Sequence, residues 1–77
     1  MPTFQITIVN ETFSSSNNHE VQSLDSATSQ ALSAALRIGS DEVLAGNKFF
    51  AAEIKVETAN ELVGRFVVSI GTTALAI

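Results

Sequence analysis

The sequence predicts an α+β domain of order ββαββ, with one amphipathic helix packed on one face of a mainly antiparallel four-stranded sheet. Three observations lead there. Residues 3–9 alternate apolar and polar; residues 24–43 carry apolar side chains at helical spacing; and two more alternating segments, 50–57 and 62–70, follow.

In the first segment Phe4, Ile6 and Ile8 point one way and Gln5 and Thr7 the other, the pattern of a half-buried strand. Asn10-Glu11 offers turn chemistry, and Thr12-Phe13-Ser14 reads as a short partner strand. Ser15-Ser16-Asn17-Asn18 has no apolar pattern to bury and reads as a solvated loop. Ser23 is placed to cap a helix, with Asp25 in its first turn beside the positive end of the helix dipole; Asp25 as the cap itself is the alternative. Leu24, Ala27, Ala31, Leu32, Ala34, Ala35, Leu36, Ile38 and Val43 then share one broad arc. Ser26, Ser29, Gln30, Ser33, Arg37, Ser40 and Asp41 fill the other. The result is one helix of about five to six turns at ~3.6 residues each, ended by Gly46 in a left-handed cap.

Gly39 falls on the apolar arc, where glycine costs roughly 1 kcal/mol against alanine. Two readings fit: a break in the helix, or a missing side chain that admits a bulky sheet residue. The neighbouring alanines favour close packing against phenylalanine. Beyond the helix, Phe50, Ala52, Ile54 and Val56 alternate with Ala51, Glu53, Lys55 and Glu57. After the turn Thr58-Ala59-Asn60-Glu61, Gly64, Phe66, Val68 and Ile70 share a face opposite Arg65, Val67 and Ser69. The tail Gly71-Thr72-Thr73-Ala74-Leu75-Ala76-Ile77 is uncharged and partly apolar, so Leu75 and Ile77 are expected to dock on their own domain or on a neighbour.

One helix covers one sheet face. The face left open is expected to carry Gln5, Thr7, Glu53, Lys55, Arg65 and Ser69, with Val9, Val63 and Val67 as apolar islands. That face, or an unprotected strand edge, is where a partner would bind.

The composition removes whole classes of function. Without cysteine the chain has no disulfide, iron–sulfur cluster, thiol catalysis or cysteine-bound zinc, and one histidine, His19, cannot make a site that needs two imidazoles. No apolar run approaches the ~20 residues of a membrane span, and no basic, apolar, small-residue leader is visible. A cytoplasmic location is therefore expected. The formal charge of −4 comes from eight acids against four bases. Arg37, Lys48, Lys55 and Arg65 are scattered among those acids instead of lining one face, which argues against nucleic-acid binding.

None of the motifs sought carries chemistry. His19 beside Glu20 suggests an acid–base pair, but neighbours on a polar loop lack the orientation and pocket that proton transfer needs, and a solvated histidine is the better reading. Asp41 and Glu42, with Glu11 and Glu20, offer oxygen ligands but not the single loop of a calcium site, so they read as surface charges. The glycines at 39, 46, 64 and 71 match no phosphate-binding spacing, and Asn10-Glu11-Thr12 has the form of a glycosylation acceptor by chance. No catalytic, cofactor-binding or metal-binding residue is assigned, and no cofactor is expected.

Met1-Pro2-Thr3-Phe4-Gln5-Ile6, the capped helix entry Glu20-Val21-Gln22-Ser23-Leu24-Asp25-Ser26-Ala27 leading into Ser29-Gln30-Ala31-Leu32, and the last strand Gly64-Arg65-Phe66-Val67-Val68-Ser69-Ile70 together resemble a family of small bacterial ββαββ proteins, a domain of unknown function. Ser15-Ser16-Asn17-Asn18 stands where that family has an acidic, glycine-ended hairpin loop. The resemblance implies a fold and no reaction. A looser similarity is to antitoxin domains of like element order.

A short chain buries a small share of its surface, so association with another copy is a natural supplement to its stability. The expected function is that of a non-enzymatic interaction or structural module that forms a homodimer or larger homo-oligomer through the open face, a strand edge or the C-terminal tail. The alternative is a small acidic regulator, antitoxin-like or a phage-type inhibitor, that masks a basic protein surface.

Overall fold

The computed structural model describes residues 2–76. Four strands and one helix run in the order β1 (Thr3–Val9), β2 (Ser14–Glu20), α1 (Leu24–Leu44), β3 (Phe49–Glu57) and β4 (Leu62–Gly71). The strands form a single antiparallel sheet in the order β2-β1-β3-β4, the predicted α+β architecture.

The alternation in β1 and β3 translates directly into the core. Ile6 lies opposite Val56 and Ile8 opposite Ile54 across the central pair of strands, and all four side chains are buried. On the other side of β3, Phe50, Ala52, Ile54 and Val56 face Ile70, Val68, Phe66 and Gly64, the shared face expected for β4. β3 starts at Phe49 and β4 ends at Gly71, each one residue beyond the predicted segment.

The helix begins and ends as its capping residues dictate. The Ser23 hydroxyl accepts from the Ser26 amide at 3.2 Å, with Asp25 in the first turn. At the far end Gly46 adopts φ +112, and the Gly46 and Asn47 amides donate to the carbonyls of Val43 and Glu42 at 3.1 Å each. These paired bonds are a Schellman closure, satisfying carbonyls the helix itself leaves open.

The helix runs unbroken through Gly39. An added Cβ there would lie 2.6 Å from Ile70 Cδ1 and 2.8 Å from Phe50 Cδ2, so the close-packing reading holds. The buried helix residues are Ala27, Ala31, Ala35 and Gly39, a stripe of small side chains four apart. This narrows the predicted arc. Leu32 and Leu36 remain 38% and 47% exposed, because a small-residue stripe draws the helix close to the sheet and leaves larger side chains on its flank.

Strand β2 corrects the sequence reading most. Residues 15–18, expected as a loop, pair with β1 from Val9↔Ser14 to Thr3↔Glu20, while Thr12-Phe13 lies in the turn. Asn10 organises that turn: its side-chain oxygen accepts from the amides of Thr12 and Phe13 at 2.9 and 3.1 Å, and its own amide donates to the Phe13 carbonyl. Main-chain pairing to β1 thus overrides the weak strand propensity of serine and asparagine.

Two further expectations change. Val63 packs against the core instead of lying on the open face, because a bulge sets Val56 opposite Gly64 and Glu57 opposite Leu62, leaving Val63 as the extra residue. Among the described residues of the tail, 72–76, none docks on its own domain: all are exposed, with Leu75 at 86%, and Ile77 lies outside the described residues. Only its first step is held, by the Thr72 amide donating to the Lys48 carbonyl at 2.8 Å.

Candidate functional site

His19 sits on β2, opposite Phe4 and hence on the helix side of the sheet. Its Nδ1 is 2.9 Å from the Gln30 side-chain oxygen, which ties the edge strand to the helix. The histidine is thus neither in a loop nor free for solvent alone. It faces a neutral amide instead of an acid, and its bond is a structural brace. Ser15 and Asn17 share that side of β2, opposite Ile8 and Ile6, so β2 is polar on both faces.

The four acids considered as oxygen ligands do not gather into one metal-holding group. Glu11 lies in the Asn10–Phe13 turn, and Glu20 ends β2. The Glu42 carboxylate accepts from the Asn47 side-chain amide at 2.9 Å, and Asp41 contributes its carbonyl to the helix C-cap. Among the described residues, no group of three or more histidines and acids is arranged to hold a metal ion.

The open face follows the predicted parity. Thr7, Lys55 and Arg65 align across β1, β3 and β4, as do Val9, Glu53 and Val67. Lys55 and Arg65 are like charges placed directly opposite, an arrangement that disfavours pairing. Arg65 resolves it by turning diagonally, its Nε donating to Glu53 Oε2. With the Arg65 side chain 65% exposed, this pair contributes little beyond orienting the two charges.

Two surfaces stand out. The first is the outer edge of β4, ten residues long and unpaired. Its residues are mainly apolar, Val67 is 67% exposed, and its single charge, Arg65, is already bonded to Glu53. Beside it lies the Leu32–Leu36 flank of the helix. Gln30 looks toward β2 at the opposite edge, and residues two and six positions later are rotated about 200° and 240° from it at ~100° per residue. The two leucines therefore face the β4 side.

The second surface is a notch of about 530 Å³ where β1 stops short of β3. β1 pairs β3 only from Val9↔Glu53 onward, so Phe49–Ala52 have β4 on one side and no strand on the other. Val9, Phe49, Ala51 and Val67 line the notch, with Glu11 and Glu42 among its walls.

Sequence reasoning reached the open face and the idea of an unguarded edge, but not the leucine flank or the notch. A signal for the flank was present: four small residues spaced four apart predict a narrow contact stripe with Leu32 and Leu36 beside it. The notch depends on how far β1 extends along β3, which periodicity does not specify.

The fold and these surfaces define a small α+β domain with an uncovered sheet face. No family model, curated protein or solved structure matches the chain. Among the described residues, no helix is long and apolar enough to cross a membrane.

Proposed function

We propose that the protein is a non-enzymatic interaction module of the cytoplasm that self-associates, with β4 of one copy pairing against β4 of a second. The unguarded β4 edge carries this reading. Proteins commonly protect such edges with charged side chains, lysine above all, with proline, bulges or inward charges, or by extreme shortness, and the one charge on β4, Arg65, is drawn onto Glu53. β4 spans ten residues, contains neither proline nor lysine, and is bulged only at its start. Pairing about a two-fold axis joins two sheets into one of eight strands and brings both helices onto the same face. The Leu32–Leu36 flanks then approach each other across the junction, giving apolar burial to a contact otherwise made by main-chain bonds.

Sedimentation velocity across the micromolar range tests the proposal. A concentration-dependent dimer is expected, and it is lost when Val67→Lys places a charge beside the edge. A protein that stays monomeric throughout, or a Val67→Lys variant that dimerises as well as the parent, overturns it. Cell fractionation checks the location.

A further inference from the structure

We infer that the notch beside the first half of β3 takes a short extended peptide segment bearing lysine or arginine, added as a strand along Phe49–Ala52. This goes beyond self-association, since it uses the opposite side of β3 from the β4 edge.

The geometry supplies the three elements of strand addition: free main-chain groups, a place for alternate side chains, and selectivity. The main-chain edge of Phe49–Ala52 begins where the β1 pairing ends at Val9↔Glu53, and no main-chain bond from the Asn10–Phe13 turn reaches it. Four residues at ~3.4 Å each give an edge of about 14 Å, enough for a segment of similar length. Apolar contact comes from Val9, Phe49, Ala51 and Val67, of which Phe49 and Val67 are each 67% exposed.

Charge selects the occupant. Glu11 and Glu42 flank the notch, no lysine or arginine lines it, and the third acid there, Glu53, is bonded to Arg65. A second copy of this chain brings a formal charge of −4 toward these acids. The one cation on its exposed edge strands, Arg65, is already engaged. A basic segment from another protein meets the opposite situation. Its cations reach the flanking acids while its alternate apolar residues meet Phe49 and Val67.

The experiment titrates the ¹⁵N-labelled protein with a blocked pentapeptide alternating lysine and valine, and with a counterpart alternating glutamate and valine. Saturable amide shifts centred on Phe49–Ala52 are expected from the lysine peptide, with binding weaker by about tenfold or more for the glutamate peptide. N-methylating the lysine peptide's inward amides is expected to cost roughly tenfold per lost bond. Glu11→Lys, an exposed turn substitution, is expected to reduce the preference for the lysine peptide. Equal binding of both peptides, shifts centred elsewhere, or indifference to N-methylation overturns the inference. So do the same amide shifts on concentrating the protein alone, which would identify a second copy as the occupant. Shifts confined to β4 on concentration support self-association and leave the notch result independent of it.

Discussion

Ile70 Cδ1 occupies the space that a side chain on Gly39 would need, only 2.6 Å from where its Cβ would stand. The glycine is therefore a contact residue of the helix–sheet interface, even though it contributes no side chain. Its absence of bulk is what lets α1 lie against β3 and β4 at that point.

Gly39→Ala pits two effects against each other. Alanine raises helix propensity by ~1 kcal/mol, whereas overpacking costs typically 1–3 kcal/mol. The Phe50 ring, 2.8 Å from the same Cβ position, is buried, so both neighbours must shift to admit the methyl group. A net loss of about 1–2 kcal/mol is expected in urea unfolding, with part of it recovered in the Gly39→Ala, Ile70→Val double variant. An unchanged or higher midpoint for Gly39→Ala would show that the interface relaxes freely.

Gly46→Ala separates backbone strain from crowding. An added Cβ at Gly46 has nothing within 4 Å, yet φ is +112. The expected loss of ~1–2 kcal/mol is thus conformational, and no compensating truncation elsewhere should restore it. Denaturation of this variant beside Gly39→Ala distinguishes the two causes.

Ser23→Ala removes the hydroxyl that receives the Ser26 amide. A loss of about 1 kcal/mol is expected, with helix content nearly unchanged because the Schellman end and the buried stripe remain. Amide exchange should show faster opening of the first turn, and uniform behaviour along the helix would contradict this account.

Glu53→Gln should move stability by less than ~1 kcal/mol, since Arg65 is largely solvated. Its more informative effect is electrostatic. Without the Glu53 carboxylate, Arg65 faces Lys55 directly across the strand pair. Added salt should then raise the stability of the variant more than that of the parent, which thermal melts at two ionic strengths can measure.

Most of the fold was legible because its buried strands and helix place apolar residues at periods that do not overlap. Phe4, Ile6 and Ile8, and Phe50 to Val56, can be half-buried only as strands. Ser23 and Gly46 mark the helix ends through needs of the backbone itself. β2 was not legible as a full strand, because Ser14 to Glu20 bury almost nothing and leave no apolar period to read. Its order comes from hydrogen bonds to β1, the partner the turn at Asn10-Glu11 already indicated, but nothing in the polar run shows that the pairing continues to Glu20. The same limit applied at Val63, whose side was reversed by a bulge, and at the notch, whose existence depends on the unequal extents of β1 and β3. The leucine flank was hidden differently: the helix was recognised, but its contact stripe was drawn too wide.

The polarity of β2 has one more consequence. Serine and asparagine recur along it at intervals that would offer β1 nearly the same neighbours after a slip of two residues. Alignment is therefore secured at a few points, by the Asn10 carboxamide at the turn, by the Thr7–Ser16 hydroxyl pair at mid-strand and by the His19–Gln30 brace near the other end. Away from those contacts the chain can exchange one hydroxyl or amide for another with little effect on the interior. This makes β2 the margin of the molecule where sequence drift is cheapest.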